Sequence, residues 1–375
     1  MKNDALRIAM FCPYSLSIPG GVQTQVLGLA HALRRSGHEV RVLGPCDGPP
    51  PAAFVTPLGD SLPTAANGSV APLAPDPSAA LRTIRALRDE QFDVWHLHEP
   101  LAPGPTLTAL TLRSRPIVAT FHAAGRSSSY RFLKPVLRPL VKRIDHRVAV
   151  SNDAKQLVEG HFPGDYEVLF NGVDIEMTAS GGGYDVISQN DAEIDPSVLF
   201  VGRHEERKGL STLLEAVELL FRDHHFRVVC HIIGHGPDTE SLRERFADPE
   251  RFRWHGQVSE SEKVQRLRGA TAFVAPALRG ESFGVVLLEA MAAATAVIAS
   301  DIAGYRNVAT HGVDALLVPP GDASALAHSL REVLTDEEIR KGLVERGLQT
   351  AASMSMDRLA AMYVDRYRMV LNSPS

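Results

Sequence analysis

The chain is short of cysteine, of long apolar runs and of positive charge, and each shortage excludes something. Its three cysteines, Cys12, Cys46 and Cys230, form no Cys-x-x-Cys pair. They fall in or beside expected strands and read as small buried hydrophobes in a reducing compartment. No run reaches 18 apolar residues; residues 284–299 come nearest, and Glu289 interrupts them. The opening MKNDALRIAMFCPYS holds only a short apolar run broken by Arg7, which reads as a first strand and not as a signal peptide. A cytoplasmic protein is expected, lying on a membrane if it touches one. The net charge of −5 argues against a nucleic-acid binder. No strict Asp-x-Asp metal motif occurs; Asp191, Glu193 and Asp195 alternate in a segment that reads as solvating. His96 and His98 form an H-x-H pair without a third ligand close in sequence, so no metal site is assigned.

What is present fits an α/β protein of two domains. With 44% hydrophobic and 22% charged residues the composition is ordinary, and 375 residues exceed one core. Residues 7–12 form a buried strand, the loop 13–21 ends in Gly20-Gly21, and 22–35 is an amphipathic helix. Strand, glycine turn, helix is the opening of a mononucleotide-binding unit: glycine admits a phosphate close to the backbone and the helix start supplies N–H groups. A second strand covers 39–43. Residues 45–77, rich in Pro, Gly and Ala, read as an irregular excursion in which Asn67-Gly68-Ser69 is a polar turn able to face a ligand. The helix 78–91 carries Arg82, Arg85 and Arg88 along one side. Strands follow at 93–98 and 116–121, with His122 at the carboxyl end of the latter, where open α/β sheets bind ligands. Residues 127–147 are basic and amphipathic, suited to an anionic membrane surface or equally to a charged outer face. Strands at 147–151 and 166–170 complete this half.

A second opening of the same kind begins with the strand 197–201, followed by Gly202-Arg203-His204-Glu205-Glu206-Arg207-Lys208-Gly209 and the helix 210–221. Strands are expected at 228–233, 252–255, 272–276, 296–300 and 316–318, and outer helices at 324–333 and 337–351. Between them lies the most informative stretch, ALRGESFGVVLLEA at 277–290. Glu281 and Glu289 stand eight residues apart, a little over two helical turns, so both can point to one side. A carboxylate among so many apolar residues needs a partner, and sugar hydroxyls are good ones. Past Ser282, the N–H groups of Phe283, Gly284 and Val285 are free at a helix start and favour a phosphate.

The motifs C-P-Y-S…P-G-G-V-Q (12–23), H-E-P (98–100), T-F-H (120–122), N-G-V-D (171–174), G-R…K-G (202–209) and G-E-S-F-G…E (280–289) resemble the retaining family-4 glycosyltransferases of GT-B fold. The likeness is greatest to the actinobacterial phosphatidylinositol mannosyltransferases. The resemblance covers nearly the whole chain and implies two Rossmann-like domains facing a cleft. It places an acceptor domain at 1–173, a linker at 174–196 and a nucleotide-sugar domain at 197–355, with a last helix (356–375) packing back on the first. It implies GDP-mannose as donor, no metal, and work at the cytoplasmic membrane face. It assigns the diphosphate to Gly20, Gly21, Arg203 and Lys208, the mannose hydroxyls to Glu281 and the ribose to Glu289. His122 steadies the transition state. On the acceptor side it places Tyr14, Ser17, Gln23, Asn67, Ser69 and Arg126 together with His122. The family's Asp, Tyr, Arg and Lys around the inositol phosphate are Ser17, Ala66, Pro72 and Ser127 here, so another lipid or a polyol stays open as acceptor, and another nucleotide sugar, such as a UDP-sugar, as donor. Two other classes also stay open. A nicotinamide enzyme is disfavoured because Thr239 fills the third glycine position of Gly234-His235-Gly236. An inactive sugar-nucleotide-binding protein is disfavoured because His122, Arg203, Lys208 and Glu281 are all present.

Overall fold

In the first strand, β1 (Arg7–Phe11), residues 8–11 are all buried, as expected of a strand covered on both faces. Ile8 and Met10 pack with Val26, Leu29 and Leu33 of α1 (Gly21–Arg35), while Ala9 and Phe11 pack into a second core on the opposite face. The computed structural model describes residues 5–66, 69–124, 128–175, 196–224 and 226–373. The chain divides into two compact units, Met1–Gly172 with Met356–Ser375, and Val173–Ser355. The first unit thus ends one residue before the boundary read from the sequence. Most of the expected linker, 176–195, lies outside the described residues, Asp191, Glu193 and Asp195 included.

Unit 1 continues through β2 (Glu39–Gly44), β3 (Val55–Pro57), β4 (Leu62–Ala66), β5 (Ser69–Leu73), α2 (Pro77–Asp89), β6 (Val94–His98) and α3 (Pro105–Leu112). β7 (Ile117–Phe121), α4 (Ser128–Val141), β8 (His146–Ala149), α5 (Asn152–His161) and β9 (Glu167–Val168) complete its first pass. The sheet is parallel in the order β3-β2-β1-β6-β7-β8-β9, and β4 and β5 form a separate antiparallel pair. The 45–77 stretch is therefore not irregular throughout: β3 extends the main sheet and β4–β5 pair outside it. Pro63 and Pro72 face each other in that pair; a two-stranded sheet is all edge, where proline is tolerated.

The helix Met356–Asn372 buries Leu359, Tyr363 and Tyr367 in the α1 core, so it belongs to unit 1. The Gln25 amide fixes the N-G-V-D turn, donating to the Gly172 carbonyl and accepting from its N–H, each at 2.9 Å.

Unit 2 runs β10 (Ser197–Val201), α6 (Leu210–His224), β11 (Val229–Ile233), α7 (Thr239–Arg245), β12 (Phe252–Gly256), α8 (Glu260–Gly269) and β13 (Ala272–Ala275). It continues through α9 (Val285–Ala292), β14 (Ala296–Ser300), α10 (Ala303–Arg306), β15 (Leu316–Val318), α11 (Ala323–Thr335) and α12 (Glu337–Ser353). Its parallel sheet has the order β12-β11-β10-β13-β14-β15. Both sheets reverse winding direction beside their first strand, at β1/β6 and at β10/β13. In open α/β sheets the crevice outside the carboxyl ends at such a point is where ligands bind.

Candidate functional site

The switch point of unit 2 gathers charge. After β10 the chain turns through a 3-10 turn, Glu206–Lys208, closed by Gly209 at φ +67°. A Cβ there would lie 1.9 Å from the Pro276 carbonyl oxygen, so only glycine lets this loop lie against the one after β13. The Leu278 N–H donates to the Arg207 carbonyl at 2.8 Å and joins the same two loops. On this frame Lys208 Nζ donates to Glu281 Oε1 at 2.6 Å and Arg207 Nη1 to the same oxygen at 3.1 Å. Arg207 Nε reaches Glu205 Oε2 at 2.9 Å, and Arg203 Nε reaches Glu205 Oε1 at 2.8 Å. Three cations thus face two carboxylates, an excess of one positive charge. Arg203 is 60% exposed, against 14% for Glu281.

Glu281 is followed by Ser282, whose carbonyl accepts from Asn307, and by Phe283, whose ring is buried. Gly284, at φ +96°, is the N-cap of α9, and no side chain caps that helix. The N–H groups of Phe283, Gly284 and Val285 have no acceptor among the described residues, and they offer hydrogen bonds and the positive end of the helix dipole to an anion. Glu289, on α9, pairs with Lys263 of α8 at 3.1 Å. Burial disfavours the Lys263 cation, yet Glu289 and Glu260 outweigh it and hold the pKa above its ordinary value.

The switch point of unit 1 is built mostly from buried uncharged groups, with the buried carboxyl of Glu99 among them. Gly20 is the N-cap of α1; a Cβ there would meet the Gln23 side chain, while one on Gly21 would meet nothing. Gln23 is buried, and its amide nitrogen donates to the Ser15 and Ile18 carbonyls, so that nitrogen shapes the loop. Ser17 Oγ accepts from Gly48 N–H at 3.1 Å, and Tyr14 forms a bridge with Leu73 of β5. Asn67, Arg126 and Ser127 lie outside the described residues, as does the side chain of Ser69.

At the ends of β6 and β7 three histidines meet. His96 has both ring nitrogens engaged, by Tyr367 OH at 2.7 Å and Thr120 Oγ1 at 2.8 Å, which leaves no lone pair for a metal. Thr120 Oγ1 also meets Tyr363 OH at 2.8 Å, tying the strand ends to the C-terminal helix. His98 Nδ1 lies 2.9 Å from His122 Nε2. Burial pushes the pKa of His122 down to about 3 and that of His98 well below the ordinary imidazole range. Glu99, at φ +47°, places one buried oxygen 2.6 Å from both the His122 and Ala123 N–H groups. Tyr130 OH donates to its other oxygen at 3.3 Å. Burial raises the Glu99 pKa against the effect of these bonds.

The structure therefore brings Lys208 and Glu281 together, adds Arg207, and links Arg203 to them through Glu205. Sequence reasoning passed over Arg207, Lys263 and Glu99, and weighed His98 only as a metal ligand. Arg207 adjoined the chosen Lys208 and Glu99 lay within a quoted motif, but nothing in the sequence marked Lys263. The basic stretch 127–147 is not one amphipathic element. Arg143 Nη1 donates to the Thr111 carbonyl, and Arg147, on β8, donates to the Val141 carbonyl. Likewise Arg82 Nε is held by the Leu58 carbonyl at 2.8 Å.

The match to known families follows the two units. Residues 19–177 match the model of Glycosyltransferase Family 4 and residues 187–350 that of Glycosyl transferases group 1. The phosphatidyl-myo-inositol mannosyltransferase of Mycobacterium leprae is 39% identical over 382 residues, covering 99% of this chain and 98% of the relative. That of Mycolicibacterium smegmatis is 38% identical over 370 residues, covering 97% and 94%. A glycosyltransferase structure from Rickettsia africae superposes with a TM-score of 0.75 at 17% identity, covering 99% of this chain and all of that one, a likeness of fold. The chain belongs to the family-4 glycosyltransferases of GT-B fold. It is a glycosyltransferase whose sequence runs alongside the mycobacterial phosphatidyl-myo-inositol mannosyltransferases over nearly their whole length.

Proposed function

We propose that the enzyme transfers a mannosyl group from GDP-mannose to phosphatidyl-myo-inositol at the cytoplasmic face of the membrane, with retention of configuration. The observation that carries this is the Arg203, Arg207, Lys208 and Glu281 cluster at the β10/β13 switch point, in a chain 39% identical to a phosphatidyl-myo-inositol mannosyltransferase. As the bond from the anomeric carbon to the diphosphate breaks, charge grows on the leaving phosphate. The three cations, turned to the diphosphate when the donor binds, and the N–H groups at the start of α9 are then in place to stabilise it. That set of charges gives the diphosphate its counter-ions, so the reading includes no metal. Glu281 exchanges its contacts with Lys208 and Arg207 for sugar hydroxyls, and the freed cations turn to the diphosphate. The leaving phosphate takes the proton of the attacking hydroxyl, so no carboxylate nucleophile is required.

Unit 1 takes the acceptor. On α4, Leu133 and Val136 are exposed beside Lys134 and Arg138, while Leu137 and Val141 are buried. Apolar residues among cations on an outer face suit an anionic bilayer. No helix among the described residues is long and apolar enough to cross a membrane. The test is transfer of radiolabelled mannose from GDP-mannose to vesicles with and without phosphatidylinositol, in EDTA and in Mg²⁺. Labelled lipid formed in EDTA supports the reading. Transfer only from a uridine sugar, only to free inositol, or only with added metal overturns the corresponding part.

A further inference from the structure

We propose that His98 is a positioning residue: it holds His122 as the tautomer protonated at Nδ1, so that His122 presents an N–H donor, not a base, to an oxygen of the bound substrates. This rests on the reading above in one respect, that His122 faces substrate. A neutral imidazole carries one N–H and one lone pair. His98 Nδ1 and His122 Nε2 are 2.9 Å apart, so one donates and the other accepts. His98 Nε2 is enclosed and has no partner among the described residues.

If His98 accepted at Nδ1, its proton would sit on Nε2 as a buried N–H with no acceptor. If it donates from Nδ1, the unpartnered atom carries only a lone pair. Buried N–H groups are almost always paired, whereas under-satisfied acceptors are tolerated more often. The proton therefore belongs on His98 Nδ1, His122 Nε2 accepts it, and the His122 proton is on Nδ1. That nitrogen has no partner among the described residues and is not among the enclosed unpaired atoms. Glu99 fixes the backbone from which the ring projects, through the His122 and Ala123 N–H groups. The packing of His96, His98 and His122 rings at 4.2 and 5.2 Å between centroids disfavours a positive charge on any of them.

The test is ¹⁵N NMR of histidine-labelled enzyme without substrate at pH 7.5, the His122 signals assigned by their loss in His122→Gln. The expected pattern is a protonated Nδ1 and a bare Nε2. His98→Leu removes the donor: His122 then populates the Nε2-protonated form, and kcat falls about 10- to 100-fold with KM for the sugar nucleotide little changed. His98→Asn, whose Nδ2 donates from nearly the place of Nδ1, restores the tautomer and most of the turnover. A wild-type His122 protonated at Nε2 overturns the proposal, as does a His98→Leu enzyme with unaltered tautomer and kcat. Failure of mannosyl transfer leaves the tautomer result standing, and a wrong tautomer leaves transfer standing, so the two readings fail separately.

Discussion

The two units share a sheet order around their switch points and use them in opposite ways. Unit 1 places buried, mostly uncharged hydrogen-bonding groups there: His96, His98 and His122, with Thr120, Tyr363 and Tyr367 behind them and the Glu99 carboxyl on the His122 backbone. Unit 2 places charged, half-exposed groups there: Arg207 and Lys208 on Glu281, with Arg203 on Glu205. A buried hydrogen-bond network has one arrangement, because breaking any of its inner bonds strands a polar group. An ion-pair cluster open to water re-pairs at little cost when a ligand brings its own charges. The topology supplies the place, and burial decides whether the groups there are fixed or exchangeable.

The comparison is broken most directly at Lys208. Lys208→Ala is expected to reduce kcat by about 100-fold or more, roughly 3 kcal/mol of transition-state stabilisation, with little change in Tm. Steady-state rates beside a thermal melt decide it; equal losses of rate and stability would mean that the cluster is structural. Next is the deeper ion pair. Lys263→Met leaves Glu289 half-buried without its partner and should cost about 2 kcal/mol of stability, less than a fully enclosed pair because both side chains keep some exposure. Urea unfolding measures it, and Glu289→Gln in the same chain should recover part of the loss.

The third prediction is a pH dependence carried by the buried histidines of both units, His204 and His231 of unit 2 being held at about 4 by burial and His122 of unit 1 lower still. His122 titrates near 3 when folded and near 6.5 when unfolded, so the unfolded chain binds the extra proton in between. This stability is present above pH 6.5 and is lost as pH falls. From pH 6.5 to 5 the loss is about 2 kcal/mol for this one histidine, and His96 acts in the same direction. Urea midpoints across that range should fall, and should fall less in His122→Gln. The smallest effect lies on the outer face of unit 1. Arg85 pairs with Asp89 at 3.5 Å with 83% of its side chain exposed. Arg85→Ala should leave Tm and turnover alone and weaken binding to anionic vesicles by about 1 kcal/mol, about fivefold, at low salt.

The features legible in sequence are those a short stretch determines. The Gly-Gly start of α1, the Lys208-Gly209 turn and the Gly284 cap each need a backbone that a few neighbouring residues announce. Glu281 stood out because a carboxylate beside an apolar helix requires an explanation. Hidden from the sequence were contacts made across the chain. Tyr363 and Tyr367 lie more than 240 residues from Thr120 and His96 and look like ordinary members of an amphipathic helix. Lys263 sits among Glu260, Glu262 and Arg266 and resembles any solvated helix face until the fold sets Glu289 beside it. Strands β3 to β5 were obscured by prolines, and α3, α5, α7 and α8 went unread because short helices carry few periods of hydrophobicity.

The C-terminal helix has a consequence in time. The α1 core of unit 1 is completed by Leu359, Tyr363 and Tyr367, and the strand-end histidines wait on the same tyrosine hydroxyls. Unit 2, at 173–355, is continuous and lies wholly upstream of them. During synthesis it is therefore unit 2, begun second, that can close first. Unit 1 stays open along one face until residues 356–372 have left the ribosome, its half-built sheet the part of the nascent chain most in need of protection from aggregation.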